Sequence, residues 1–135
     1  MVSSFQPGES LPVISRVLHL TYVQNTGAAF GLFKHQQTLF IGTSLLIIAW
    51  LIRESLARPP QSFLVMWSYA LILGGAAGNL IDRLRFGHVV DFLDFRIWPV
   101  FNVADSAITI GVTLLMWHGL MTNKRHATSD TQHEK

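Results

Sequence analysis

Three long stretches without a charged side chain dominate the pattern of apolar and polar positions. The first runs from about His35 to Ile52 and is closed by Arg53; the second runs from Pro59 to Ile81 and is closed by Asp82 and Arg83. The third runs from Ser106 to Asn123 and is closed by Lys124 and Arg125. A bilayer crossing needs about 20 mostly apolar residues, and none of the three carries the polar stripe that a helix of a soluble bundle turns to water. The pattern predicts transmembrane helices at about 35–52, 63–81 and 106–123. The chain outside them reads differently. Val17 to Val23 (VLHLTYV) is β-branched, aromatic and roughly alternating, which predicts a strand, and Asn25 to Gly31 (NTGAAFG) predicts a tight loop. VVDFLDF, from Val89, predicts a short β-like run in which Asp91 and Asp94 point to opposite faces. The polar tail from His126 to Lys135 is expected to be disordered, leaving one membrane domain over residues 1–125.

Composition agrees with a membrane location. Half of the 135 residues are hydrophobic and 13% are charged, against about 25% charged in an ordinary soluble domain. The net charge is only +2 and the ten Lys and Arg are scattered, so there is no basic footprint for nucleic acid. The absence of Cys excludes disulfides, thiolate zinc sites and a cysteine nucleophile. The six His have no metal-ligand spacing, so neither a metal nor another cofactor is expected. Met1 to Gln37 contains no basic segment followed by an apolar core of the kind that marks a secretory signal. Three spans place the chain ends on opposite sides, yet the positive charges nearly balance. Arg53, Arg58, Lys124, Arg125 and Lys135 fall on one side; Arg16, Lys34, Arg83, Arg85 and Arg96 fall on the other. Their compact clustering at helix ends favours the first set as cytoplasmic.

Candidate chemistry sits at the span edges. Asp91 in VVDF and Asp105 in FNVAD lie fourteen residues apart, at the boundary of the apolar runs. A carboxylate there is costly, and paired carboxylates with no metal ligands beside them suit acid/base chemistry on water. Alternative roles are a solvated loop carboxylate for Asp91 and a helix N-cap for Asp105. Asn102 precedes Asp105 by three residues and could orient a carboxylate or a substrate carbonyl. The second span ends in GGAAGNLIDR, where Gly74 and Gly78 suit close helix approach and Asn79 and Arg83 share one face.

Four ordered blocks, NTGAAFG at 25–31, GGAAGNLIDRL at 74–84, GHVVDFLDF at 87–95 and FNVADSAI at 101–108, closely resemble the lipoprotein signal peptidases (signal peptidase II). The resemblance covers the chain from about Gly8 to Met121. It implies a mainly α-helical integral membrane fold with a small periplasmic β-structure and a short helix. It also implies an aspartyl endopeptidase of the bacterial inner membrane, acting at the periplasmic face as a monomer. The substrates implied are prolipoproteins, cut before a diacylglyceryl-modified cysteine. By motif, Asp91 and Asp105 are the expected catalytic pair. Asn25, Asn79, Arg83 and Asn102 are expected to support the pair or bind substrate, and Gly27 and Ala28 to line the groove. Residues 1–34 and 82–104 are then periplasmic. The family has four transmembrane helices, the first bearing an Asp-Gln-x-x-Lys-like motif; this chain is expected to begin after that helix and to form a three-helix bundle. A non-catalytic remnant of the family, or a small accessory or transport subunit, are the alternatives.

Overall fold

The computed structural model describes residues 5–27, 36–60 and 62–130, with side chains to Thr122. Its elements in chain order are β1 (Ser10–Ile14), β2 (Leu18–Asn25), α1 (Gln37–Ala57), α2 (Phe63–Phe86), β3 (Val89–Asp94) and α3 (Val103–Asp130). All three helices are long and apolar enough to cross a membrane. Their outward surfaces are greasy: Leu46, Leu56, Phe63 and Met116 are each more than 60% exposed, as lipid-facing side chains must be when no polar stripe exists. The fold class is the expected one, a mainly helical membrane protein with a small sheet.

The helix ends differ from the expected span ends. α1 passes Arg53 and continues to Ala57, and α2 passes Asp82 and Arg83 to Phe86. Charge marks where a span meets polar surroundings; it does not stop a helix. What stops α2 is Gly87, in the left-handed conformation at φ 77, with its N–H bonded to Arg83 O at 3.0 Å. α3 starts at Val103 instead of Ser106 and continues to Asp130, into the stretch expected to be disordered, because neither Gly nor Pro interrupts residues 120–130.

α2 is the central helix, packed against α1, α3 and β3. The closest approach is to α3. A Cβ on Gly75 would lie 2.5 Å from Ala104 O and 2.7 Å from Ile108 Cγ1, and one on Gly111 would lie 2.8 Å from Ser68 O. Small residues set this contact, as expected in lipid, but Gly74 is not among them, since its missing side chain would meet nothing within 4 Å. β1, β2 and β3 form an antiparallel sheet in that order. β1, with Pro12 in its middle, was not foreseen, and it takes the edge position that Pro tolerates. Asp82 joins the sheet to α2 by accepting the Val90 N–H at 3.1 Å.

Candidate active site

β3 runs back along the end of α2, and α3 starts beside it. This brings together residues from four separate motifs. Asp91, 1% exposed, faces inward from the middle of β3. Val23 of β2 is opposite it, so Asn25, paired with Val89, lies on the same face one diagonal step away. Asn25 Nδ2–H donates to Asp91 Oδ2 at 2.8 Å, and Asn102 Nδ2–H donates to Asp91 Oδ1 at 2.7 Å. The same Asn102 amide reaches Asn79 Oδ1 at 3.1 Å, and Asn79 Nδ2–H donates to Asp105 Oδ1 at 2.8 Å. A continuous chain of amides thus links Asp91 to Asp105 through Asn102 and Asn79.

The orientation of each amide is fixed by what its oxygen accepts. Asn25 Oδ1 takes the Gly27 N–H at 2.9 Å, and Asn102 Oδ1 takes the Asp105 N–H at 2.9 Å. Asn79 Oδ1 takes the Asn102 side chain. Each NH2 group is therefore left to face a carboxylate. Asn102 is 5% exposed and Asn79 7%, so reversing any of these amides would set donor against donor in a buried site.

Asp105 is not the N-cap of α3. Asn102 holds that position, with Asp105 in the first turn returning the contact by accepting the Asn102 N–H at 3.4 Å. The reciprocal pair is a capping box built from Asn and Asp. An acidic group suits the first turn, where unpaired N–H groups gather.

Arg83 does not reach the carboxylates as an ion pair. The ion pairs among the described residues are Arg58–Glu54 and Arg96–Asp94. Its guanidinium lies over the Phe40 ring of α1, 4.9 Å from the centroid, and its Nη1 donates to Asn79 O at 3.4 Å. It thereby ties α1 to the α2 turn that carries Asn79. Gln37 strengthens this tie by donating to Arg83 O at 2.9 Å.

Both carboxylates open onto a cavity of about 880 Å³, which Asn25, Gly27, Phe40 and Arg83 also line. Most of the remaining wall comes from the apolar loop between β3 and α3, Phe95 to Phe101 apart from Arg96. Ala28 lies outside the described residues. Sequence reasoning missed Phe40, Asp82 and this loop. The signal for the loop was FRIWPVF itself, a run too apolar for a polar connection and too short for a span.

Burial in this wall pushes Asp91 up to about 6, against the Asn25 and Asn102 hydrogen bonds, with nearby Asp105 adding to the rise and Arg83 opposing it. A pair of carboxyls on one cavity, one of which holds its proton toward neutral pH, can supply an acid and a base together.

Comparison with known proteins agrees. The family described as Signal peptidase (SPase) II matches residues 1–121. The lipoprotein signal peptidase of Moorella thermoacetica is 56% identical over 119 residues, covering 88% of this chain and 79% of that protein. The one from Halothermothrix orenii is 51% identical over 116 residues, covering 86% and 79%. A bacterial membrane enzyme structure determined by the in meso method superposes with a TM-score of 0.87 at 33% identity, over 92% of this chain and 78% of that one. A second such structure gives 0.80 at 34%, over 89% and 80%. The chain belongs to the signal peptidase II family and is a multi-pass membrane peptidase of the aspartic type.

Proposed function

We propose that the protein removes signal peptides from prolipoproteins, cutting before a diacylglyceryl-modified cysteine, with Asp91 and Asp105 as its catalytic carboxylates. One observation carries this reading: an amide chain fixes two carboxylates on the wall of an apolar cavity of about 880 Å³, at the ends of membrane-spanning helices. Aromatic and aliphatic walls suit acyl chains and an apolar signal segment, while the few polar groups converge on one point. Transport would instead call for charges near mid-bilayer, whereas Asp91 lies on β3, beyond the end of α2, and Asp105 in the first turn of α3.

The ionised partner takes a proton from water, and the resulting nucleophile attacks the scissile carbonyl. The protonated partner stabilises the developing oxyanion and then protonates the leaving amine. No covalent intermediate is formed. We assign the retained proton to Asp91, whose burial favours the neutral acid. Asn79 and Asn102 hold the two carboxyls in register on one cavity wall, and the mechanism requires one water to contact both. On this reading the protein works in the bacterial inner membrane as a monomer, with residues 1–34 and 82–104 on the periplasmic side. Its substrate then approaches along the outer leaflet.

The pH profile tests the assignment. A folded pKa raised to about 6 means that the acid form is fully present below that pH and lost above it. Hence kcat/KM for a diacylglyceryl-modified prolipoprotein in vesicles, which reports groups of the free enzyme, should fall on the alkaline side with a limb at about 6. A limb near the ordinary carboxyl value of about 4 would contradict it.

Arg83 stays protonated at any physiological pH and cannot cycle a proton. Arg83→Lys keeps the charge but loses the planar stack on Phe40. It should lower folded yield or substrate affinity and leave the pH profile of residual cleavage unchanged. A shifted profile at normal yield would show that Arg83 tunes the carboxyls directly.

A further inference from the structure

On the face of β3 opposite Asp91 lies a second buried carboxylate that the reaction above does not use. Asp94 is 5% exposed. It accepts from Thr21 Oγ1–H at 2.7 Å, from the Arg96 backbone N–H at 2.8 Å and from Arg96 Nη1 at 3.1 Å. Thr21 in turn has Ser10 Oγ at 2.8 Å. Because Thr21 gives its proton to Asp94, Ser10 must give its own to Thr21, and one polar chain crosses all three strands to end on Asp94. Burial acts to raise the pKa of Asp94, but the hydrogen bonds from Thr21 and Arg96 outweigh it and hold the carboxyl below its usual range.

Arg96 has φ 67, a left-handed conformation that a non-glycine residue keeps only where its surroundings hold it. Here the holding group is Asp94, which grips the Arg96 N–H directly. The loop that starts at this point is the apolar wall of the cavity. Its far end is fixed separately: Phe101 N–H donates to Leu93 O at 3.1 Å, and Phe101 O accepts from Leu93 N–H at 2.7 Å and Phe92 N–H at 3.0 Å. The Phe95 and Phe101 rings stack across the loop with centroids 5.8 Å apart. The far end of the wall is thus tied by backbone hydrogen bonds to β3, while at the near end, where Asp94 pairs with His19 of β2, the Asp94 side chain holds the first turn of the loop. The Arg96 side chain is about half exposed, so its ion pair adds little; the Thr21 and backbone hydrogen bonds do the holding.

We propose that Asp94 is a positioning residue: through Thr21 and the Arg96 backbone it sets the 95–101 wall, and with it the fit of the apolar part of the substrate, without touching the scissile bond. The inference rests on the cavity being the substrate site.

The test compares Asp94→Ala, Asp94→Asn and Arg96→Gly in KM, kcat and amide hydrogen exchange over 95–101. Asp94→Ala should raise KM about tenfold, the scale set by removing one buried charge-assisted hydrogen bond, with kcat within about twofold and faster exchange in the loop. Asp94→Asn should fall between, since its Oδ1 still accepts the Arg96 N–H. Arg96→Gly suits the left-handed backbone and keeps that N–H, so its KM should stay within about twofold of the parent. Should Asp94→Ala fail to fold, Asp94→Asn carries the same comparison with a smaller rise. A drop in kcat at unchanged KM, or unchanged exchange, overturns the proposal, as does faster exchange at unchanged KM. Failure of the site reading shows separately, as normal cleavage by Asp91→Asn run alongside.

Discussion

Asp91→Asn and Asp105→Asn are each expected to abolish prolipoprotein cleavage while leaving membrane insertion intact. Asn preserves the shape of the side chain but removes the proton that the pair must pass between water and leaving amine. It also brings an NH2 group to a place surrounded by donors, since Asn25 and Asn102 both present N–H to Asp91, and Asn79 presents N–H to Asp105. Loss of one member of an acid/base pair costs about 10² to 10⁴ in rate, and more where the groups act as a unit. A fall of at least about 10³ is therefore expected for either substitution. Processing of a diacylglyceryl-modified prolipoprotein in membranes measures it, with membrane-extracted protein as the control for insertion. Near-normal processing by either well-expressed variant would remove that residue from the pair.

Gly75→Ala is expected to be nearly as damaging, although it changes no polar group. Its Cβ would lie 2.5 Å from the backbone oxygen of Ala104, the residue next to Asp105, and 2.7 Å from Ile108 Cγ1. A backbone atom cannot swing aside as a flexible side chain can, so α3 itself has to move. Overpacking of this kind costs about 1–3 kcal/mol, against a helix-propensity gain of at most about 1 kcal/mol from replacing Gly. The larger effect falls on catalysis: a displacement of about 1 Å in a reacting group can cost about 10²-fold, and the shifted segment carries both Asn102 and Asp105. Gly74→Ala is the control, with nothing within 4 Å of its added Cβ, and should be silent. Thermal unfolding in detergent and processing rate together check this; equal behaviour of the two variants would show that the α2–α3 contact does not set the site.

How much of this could be read from the sequence depends on how local each signal is. The helices were legible because lipid demands an unbroken apolar run, and Leu46, Leu56 and Met116 remain exposed on their surfaces. Their ends were not, because Arg53 and Asp82 mark a polar boundary and the backbone continues helical past both. β2 showed itself by alternation. β1, with all five residues exposed, had no buried face to impose a pattern. At the site, the motifs named Asp91, Asp105, Asn25, Asn79 and Asn102, but not the order of the amide chain. That order depends on Gly27 N–H and Asp105 N–H each occupying one Asn oxygen, a matter of three-dimensional register. The spacing of small residues points to Gly74 and Gly78 at the interface, whereas Gly75 makes the tightest contact; only the rotation of α2 against Ala104 distinguishes Gly75 from Gly74. Asp94 was noted for pointing away from Asp91, and its tie to Thr21 spans 73 positions of chain, beyond the reach of any local pattern.

The measurement that bears most directly on the central claim is mass spectrometry of the products from a diacylglyceryl-modified prolipoprotein in vesicles. It compares the protein with its Asp91→Asn, Asp105→Asn double variant. The protein should yield one product that begins with the lipid-modified cysteine, and the double variant none. The same cut made by both would contradict the assignment of these two carboxylates as the catalytic pair.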